Sequence, residues 1–359
     1  MIVHNVREAV HLTTLDPSDI RWRVLPFAIL APSPHNTQPW KVAFLGKERI
    51  VLSIDRERLI PGCDPLGRQA FISIGAFLEN LDLAAKSFGY RADIDLFPGG
   101  WPDMRTVPDT PIAHVDLGED AGIRPDPLFM QIPLRHTNRR PFRRQEVPLH
   151  LVGEIAESYE SPLVPFGFSP DRELIKTVAG LAGDAMKVEL ADIARREETL
   201  RNFRFTDAEA CRSPDGFGLA QSGYGTIARF FIGQFLLSRK KATTSPSLFA
   251  RLAEKSVRVH AGGAGGIGWL STKGDHRVEQ VRAGRAFQRV HLKATSLGLA
   301  LHPITQLLAD FPEMAGLGST LYEYLGIPDT HTVQMLFLLG YARPVPPTPR
   351  MDPAAFLQA

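Results

Sequence analysis

Cysteine is nearly absent from this 359-residue chain, with only Cys63 and Cys211. Two thiols cannot form the disulfide framework of a small secreted domain or a four-thiolate metal site. The default for each is a buried or idle thiol. An excess of charge of one sign is also missing. Forty-one Lys and Arg stand against 39 Asp and Glu, for a net charge of +2. The longest like-charged clusters, Arg139-Arg140 with Arg143-Arg144 and Arg239-Lys240-Lys241, are short, so nothing selects nucleic acid or an anionic membrane as a partner. No run reaches the ~18 apolar residues of a membrane span, and Met1 to Leu12 has no apolar core of signal-peptide length. The expectation is a soluble cytoplasmic protein.

Familiar catalytic signatures are missing too. The eleven histidines include no HExxH and no His-x-x-x-His pair, so no metal site is expected. Ser222 lies in Gln-Ser-Gly rather than G-x-S-x-G, which removes a hydrolase elbow. Gly263-Ala264-Gly265-Gly266-Ile267-Gly268 fits G-x-G-x-x-G. A dinucleotide loop needs a buried strand before it and a helix after. Here the charged, helix-like Leu252–His260 precedes, and Trp269–Gly274 follows with no helical pattern. Glu197-Glu198 sits in a helical charge run and reads as a solvated face.

What remains is ordinary globular composition, 44% hydrophobic and 22% charged, in a chain long enough for two domains or one large one. Apolar spacing predicts helices from Asp16 to before Pro32 (with Pro26 inside), over Ala70–Phe88, Leu149–Ser158, Asp171 to about Leu200, His276–Leu297 and Leu321–Leu325. Alternating or continuous apolar runs predict strands at Val42–Leu45 and Ile50–Ile54, which form a hairpin, and at Arg91–Phe97, Ile112–Leu117, Val164–Phe168, Ile267–Thr272 and Thr332–Leu339. Pro125–Pro133 is a proline-punctuated link. The order seen before it returns loosely after it, so the boundary is placed there: an N-terminal half over 1–130 and a C-terminal half over 131–346. Glycine clusters and an apolar segment, Ile227–Leu237, mark residues 201–265 as an insertion, possible as a lid. The proline-rich tail, 347–359, should be extended. The fold class is α+β, with strands packed by long helices.

Two stretches could carry chemistry. Ala31-Pro32-Ser33-Pro34-His35-Asn36-Thr37-Gln38-Pro39-Trp40 combines three prolines with side chains that donate and accept hydrogen bonds. Such a stiff, polar loop suits a flat, heteroatom-rich ligand, although a proline-rich helix cap has the same composition. In Arg135-His136-Thr137-Asn138-Arg139, the i, i+4 spacing would place two guanidiniums on one side of a helical turn, with a threonine hydroxyl beside them. That is a phosphate socket; a solvated basic face fits equally well.

SPHNTQPW resembles the flavin-binding loop of the nitroreductase family, and APSPHNTQPW is most similar to its Acg-type branch, in which two nitroreductase halves are fused. The resemblance implies a nitroreductase-like α+β fold with two pseudo-symmetric halves, each a mainly antiparallel sheet packed by long helices. It implies FMN as cofactor, with Pro34, His35, Asn36 and Gln38 in the loop. Arg135, His136, Thr137, Asn138 and Arg139 match the family's R-x-x-x-R/K phosphate element. Gly298–Gln306 looks like the segment beside the flavin ring, which brings in His302 and Pro303 and gives Ile304 and Thr305 as the backbone contacts to flavin N5. Gly340-Tyr341-Ala342-Arg343 matches a second phosphate contact, carried to Arg343. Ordinary members are half this length and form homodimers. Here each motif occurs once, which implies one FMN per chain between the halves, in a monomer with an intrachain pseudo-dimer or in a homodimer. The expected activity is ping-pong transfer from a small-molecule donor, NAD(P)H among the candidates, to a nitroaromatic or quinone acceptor. Its alternative is FMN sequestration under a lid. No catalytic side chain is singled out.

Overall fold

The computed structural model describes residues 18–100, 107, 110–159, 161–224 and 246–358. The apolar segment Ile227–Leu237 and Asp16-Pro17, where the first helix is expected to begin, lie outside them.

The first half opens with α1 (Ile20–Ala28), capped by the Asp19 carboxylate, which accepts from the N–H of Arg21. Pro26 lies inside this helix. After the proline-rich loop come β1 (Trp40–Leu45) and β2 (Arg49–Ile54), a hairpin in the register Trp40 to Ile54. Helix α2 (Arg68–Ser87) and the hairpin of β3 (Tyr90–Leu96) and β4 (Ala113–Glu119) complete it. The sheet order is β1-β2-β4-β3, all antiparallel.

The second half holds α3 (Leu149–Ala156), β5 (Phe166–Ser169), α4 (Arg172–Ala191), α5 (Ile193–Asn202), a two-residue pair of β6 (Phe203–Arg204) and β7 (Phe217–Gly218) with α6 (Asp207–Arg212) between them, and α7 (Pro246–Ala261). Then follow β8 (Gly266–Lys273), α8 (Arg277–Ser296), β9 (Ala300–Pro303), α9 (Ala315–Leu325) and β10 (His331–Gly340). This sheet runs β5-β8-β10-β9, again antiparallel throughout. Its strand order and directions repeat those of the first sheet, with α8 in the place of α2. Where the first half turns tightly between β1 and β2, the second inserts all of residues 170–265 between the paired strands β5 and β8. The inserted unit is therefore longer than residues 201–265, since it includes α4 and α5.

The halves meet where α2 and α8 cross. Gly75 and Gly284 touch there, and a Cβ on either would fall on a backbone carbonyl of the other helix, Val281 or Ile72. Around that contact Arg285 pairs with Glu79 at 2.8 Å, and Arg289 pairs with Glu79 at 2.9 Å and Asp126 at 2.6 Å. The largest core cluster draws on both halves, since Val278, Val281 and Leu292 of α8 pack into the first sheet's core. Burial of that apolar area drives the docking.

The tail lies extended along the first half before a short 3-10 turn, Pro353–Phe356: Phe356 is buried against Trp40 (5.8 Å between ring centroids), and Arg350 is 4% exposed. The G-x-G-x-x-G segment opens β8, and its glycines are there for close packing, since a side chain at Gly263 would collide with the backbone carbonyl of Phe142. Among the described residues no helix is long and apolar enough to cross a membrane.

Candidate active site

A cavity of about 230 Å³ lies where the halves and the inserted unit converge. The proline-rich loop supplies Pro32, Ser33, Pro34 and His35, the following segment Thr137 and Arg139, and β9 with its loop His302, Pro303, Ile304, Thr305 and Gln306. Three stretches far apart in sequence thus share one wall. The insertion supplies further lining, including Phe203, Phe217, Tyr224, Phe249 and His260.

The loop holds an uncommon backbone. His35, Asn36 and Gln38 all have positive φ (47°, 55° and 54°), a left-handed geometry that costs a non-glycine residue about 1–2 kcal/mol. Side-chain bonds from three directions hold it. Asn36 Nδ2 donates to the carbonyls of Gly216 (2.9 Å) and Pro349 (3.0 Å). Gln38 Nε2 donates to Pro214 O, and its Oε1 accepts from the N–H of Met351. Arg350 of the tail donates to Ile29 O and Ala31 O and to Asn36 Oδ1. Asn36 and Gln38 therefore fasten the loop to the insertion and the tail and do not line the cavity. His35 faces it, with its ring 5.4 Å from that of Phe217. Burial, then the Arg139 cation, holds its pKa down to about 4, so the imidazole is neutral near pH 7.

Residues 135–139 form no helix, which overturns the shared helical turn expected for Arg135 and Arg139. Arg135 is 2% exposed and turned away, donating to Leu30 O at 3.0 Å and lying 3.5 Å from His291 Nδ1. It ties the end of α1 to α8. Asn138 is a brace: its N–H donates to Leu301 O and its Nδ2 to Arg343 O. His136 bonds its own neighbour's carbonyl, Leu134 O. Thr137 and Arg139 alone of this cluster reach the cavity. Arg139 lies with its guanidinium carbon 5.4 Å from the Phe217 ring centroid. No acidic side chain among the described residues pairs with it, and burial alone lowers its pKa to about 10, so it stays charged. A desolvated cation without a counter-ion is costly, and it marks a place for an anion.

On the β9 side, His302 is buried and its Nδ1 has no partner among the described residues. Burial, then Arg139, pushes its pKa well down. Ile304 N–H is not free to face a ligand, because it donates to Leu336 O at 2.9 Å; that contact is withdrawn. Thr305 opens a short 3-10 turn, Thr305–Leu308, where first N–H groups lack an intrahelical acceptor. Arg343 is exposed and outside the cavity wall; only its carbonyl takes part, as the acceptor for Asn138.

Sequence reasoning missed a polar end of the same cavity. Cys63, Glu189 and Thr199 line it. Glu198 is 7% exposed rather than solvated, and accepts the N–H groups of Gly62 (3.2 Å) and Cys63 (2.8 Å). The heptad-like charge run hid this, because one face of α5 packs on the loop 60–64 while its neighbour Glu197 does not. Ligand-type atoms of His35, Cys63 and Glu189 lie within 4.8 Å of one another.

This geometry, two like-ordered sheets joined across α2 and α8 with a cavity whose cation has no acidic partner among the described residues, defines the class. No family model matches the chain, but curated proteins align along nearly all of it. A Mycobacterium tuberculosis protein, uncharacterized protein Rv3127, is 30% identical over 354 residues, covering 92% of this chain and 90% of its own. Another from that organism, provisionally named NAD(P)H nitroreductase Rv3131, is 29% identical over 339 residues, covering 92% and 88%. The Serratia protein provisionally named NAD(P)H nitroreductase PigM is 26% identical, covering 84% of each chain. A solved structure from Anabaena variabilis, provisionally titled a nitroreductase, spans 94% of this chain and 91% of its own at 13% identity, with a TM-score of 0.48. The chain belongs to the nitroreductase family.

Proposed function

We propose that this chain is an FMN-dependent oxidoreductase that takes electrons from a nicotinamide-type donor and passes them, in ping-pong order, to a nitroaromatic or quinone acceptor. The observation that carries it is Arg139: a half-buried guanidinium beside the proline-rich loop and the β9 loop, with no acidic partner among the described residues. The residues present suit the cofactor. Arg139 and the Thr137 hydroxyl would take its phosphate. Pro34 and His35 would lie along one edge of its ring, with His302, Pro303 and Thr305 along another. When bound, FMN accepts two electrons and releases them one or two at a time.

The chain's own part is placement and electrostatics. Neutral His35 and His302 leave Arg139 as the main positive charge of the wall, so an anionic phosphate is oriented toward it and the ring away from it. The prolines and the locked side chains of Asn36 and Gln38 fix the loop before the ligand arrives, which lowers the ordering cost of binding. Both halves contribute to one cavity, which supports one FMN per chain between them.

Sequestration is supported by one specific observation, that Phe203, Phe217 and Tyr224 of the insertion line the same cavity. Anaerobic titration of the purified protein with NADPH and then NADH, followed in the visible spectrum, separates the two. The expected result is a yellow protein with about one flavin per chain that bleaches promptly. Bleaching only with dithionite would establish sequestration. A colourless protein that takes up no added FMN would overturn both.

A further inference from the structure

Any two-electron reduction of a quinone or nitro group needs protons as well as electrons, and the arginine and histidines of the cavity wall offer no acid. Arg139 holds its protons too tightly, and half-buried His35 and buried His260 and His302 are neutral rings. Glu189 is the one carboxyl among the described residues lining this cavity, and three features of its placement disfavour a negative charge there. It is 5% exposed. It lies in the last turn of α4 (Arg172–Ala191), where the helix's carbonyl end is already negative. No cation among the described residues is within ion-pair distance, while the carboxyl of Glu198 is a close neighbour. Arg195, whose charge draws the Glu189 carboxyl toward its ionised form, is itself engaged by Glu313 at 3.1 Å and lies over the Phe311 ring. Cys63 and His35 complete its surroundings without supplying positive charge.

We propose that Glu189 is the proton store of this cavity, a neutral carboxyl that hands its proton to the electron acceptor while the acceptor takes a hydride. This rests on the FMN reading above. For a quinone the balance is simple. The reduced flavin supplies a hydride, two electrons and one proton, to one oxygen. The Glu189 O–H bond breaks and its proton goes to the other oxygen, giving the hydroquinone and a Glu189 carboxylate. The carboxylate recovers a proton from solvent before the next turnover. For a nitro group the same hydride and proton give the nitroso product and water. Burial, the main cause, places the Glu189 pKa at about 7, matched to such a cycle near neutrality. The Thr199 hydroxyl, 3.5 Å from Glu189 Oε1, favours the charged form and so tunes the value from below.

The test is stopped-flow reoxidation of the anaerobically reduced holoprotein by benzoquinone across pH, alongside infrared spectra of the protein. The expected wild-type rate falls as pH rises through about 7. Glu189→Gln, which keeps the shape and a hydrogen-bonding side chain, should reoxidise roughly 100-fold slower, with that limb gone, while reduction by the donor is unchanged. Thr199→Val should move the limb to higher pH, a shift that a purely structural role would not produce, and it serves if Glu189→Gln fails to fold. In the infrared, a protonated-carboxyl band should titrate near neutrality in the wild type and be missing from Glu189→Gln. A yellow, reducible protein whose Glu189→Gln and Thr199→Val variants keep the wild-type pH profile would overturn the proposal and leave the FMN reading intact. A protein that binds no FMN would remove that reading instead, while the infrared band would still report whether Glu189 is neutral.

Discussion

Arg139 and Arg135 look interchangeable in the sequence, and their surroundings give them opposite tasks. Arg135 spends its donors on Leu30 O and His291, so it is part of the fold. Arg139 has no acidic partner among the described residues and faces the cavity. Arg139→Ala should weaken FMN binding by roughly 10²-fold or more, since charge-assisted bonds are worth ~1.5–3 kcal/mol each. Arg139→Lys should recover part of the loss, because a point charge cannot reproduce a planar fork. Arg343→Ala should leave the affinity within about twofold, as its side chain is exposed and away from the wall. Fluorescence quenching during FMN titration reads all three.

At the scale of elements, the contact between α2 and α8 decides how closely the halves approach. Gly284→Ala would raise helix propensity by ~1 kcal/mol in an isolated helix. Here its methyl would fall on the Ile72 carbonyl, and overpacking against backbone costs ~1–3 kcal/mol. The expected outcome is a lower melting temperature. Gly153→Ala in α3, with nothing within 4 Å of the new Cβ, should raise it slightly; calorimetry on the two variants separates propensity from packing. The proline-rich loop shows the same priority of context. Its positive-φ residues persist because Arg350 and Met351 of the tail, with Pro214 and Gly216 of the insertion, hold Asn36 and Gln38 in place.

Over the whole molecule, the buried histidines set an acid limit. His35 and His260 are held neutral in the fold, with pKa values near 4 set mainly by burial, against 6.5 when unfolded. The unfolded chain therefore binds more protons below about 6.5. The stabilisation is fully present above that pH and is lost as pH falls toward 4, on the order of 3 kcal/mol for a fully buried site. Glu189 runs the other way: its raised pKa favours the fold below about 4.5, and the benefit fades as pH rises through about 7. Urea unfolding at pH 7 and pH 5 should show lower stability at pH 5, and a smaller loss in His260→Gln.

The sequence by itself determined the local elements and the family. Long helices such as Arg68–Ser87 and Arg277–Ser296 and the continuous apolar strand His331–Gly340 are written in periodicity, and their extents agree with the reading to within a few residues. The rigid loop from Ala31 to Trp40 carried the resemblance because its chemistry is contiguous. Only the tertiary structure decided which side chains of each motif face the cavity. That choice depends on backbone direction and on partners from distant segments: Asn36 is claimed by Pro349, Ile304 N–H by β10, and Arg135 by α1. Glu189 and Glu198 were illegible for the same reason. On a helix wheel they are charged residues among others, and burial against Cys63 and the loop 60–64, a contact across more than a hundred residues of chain, is what changes their chemistry.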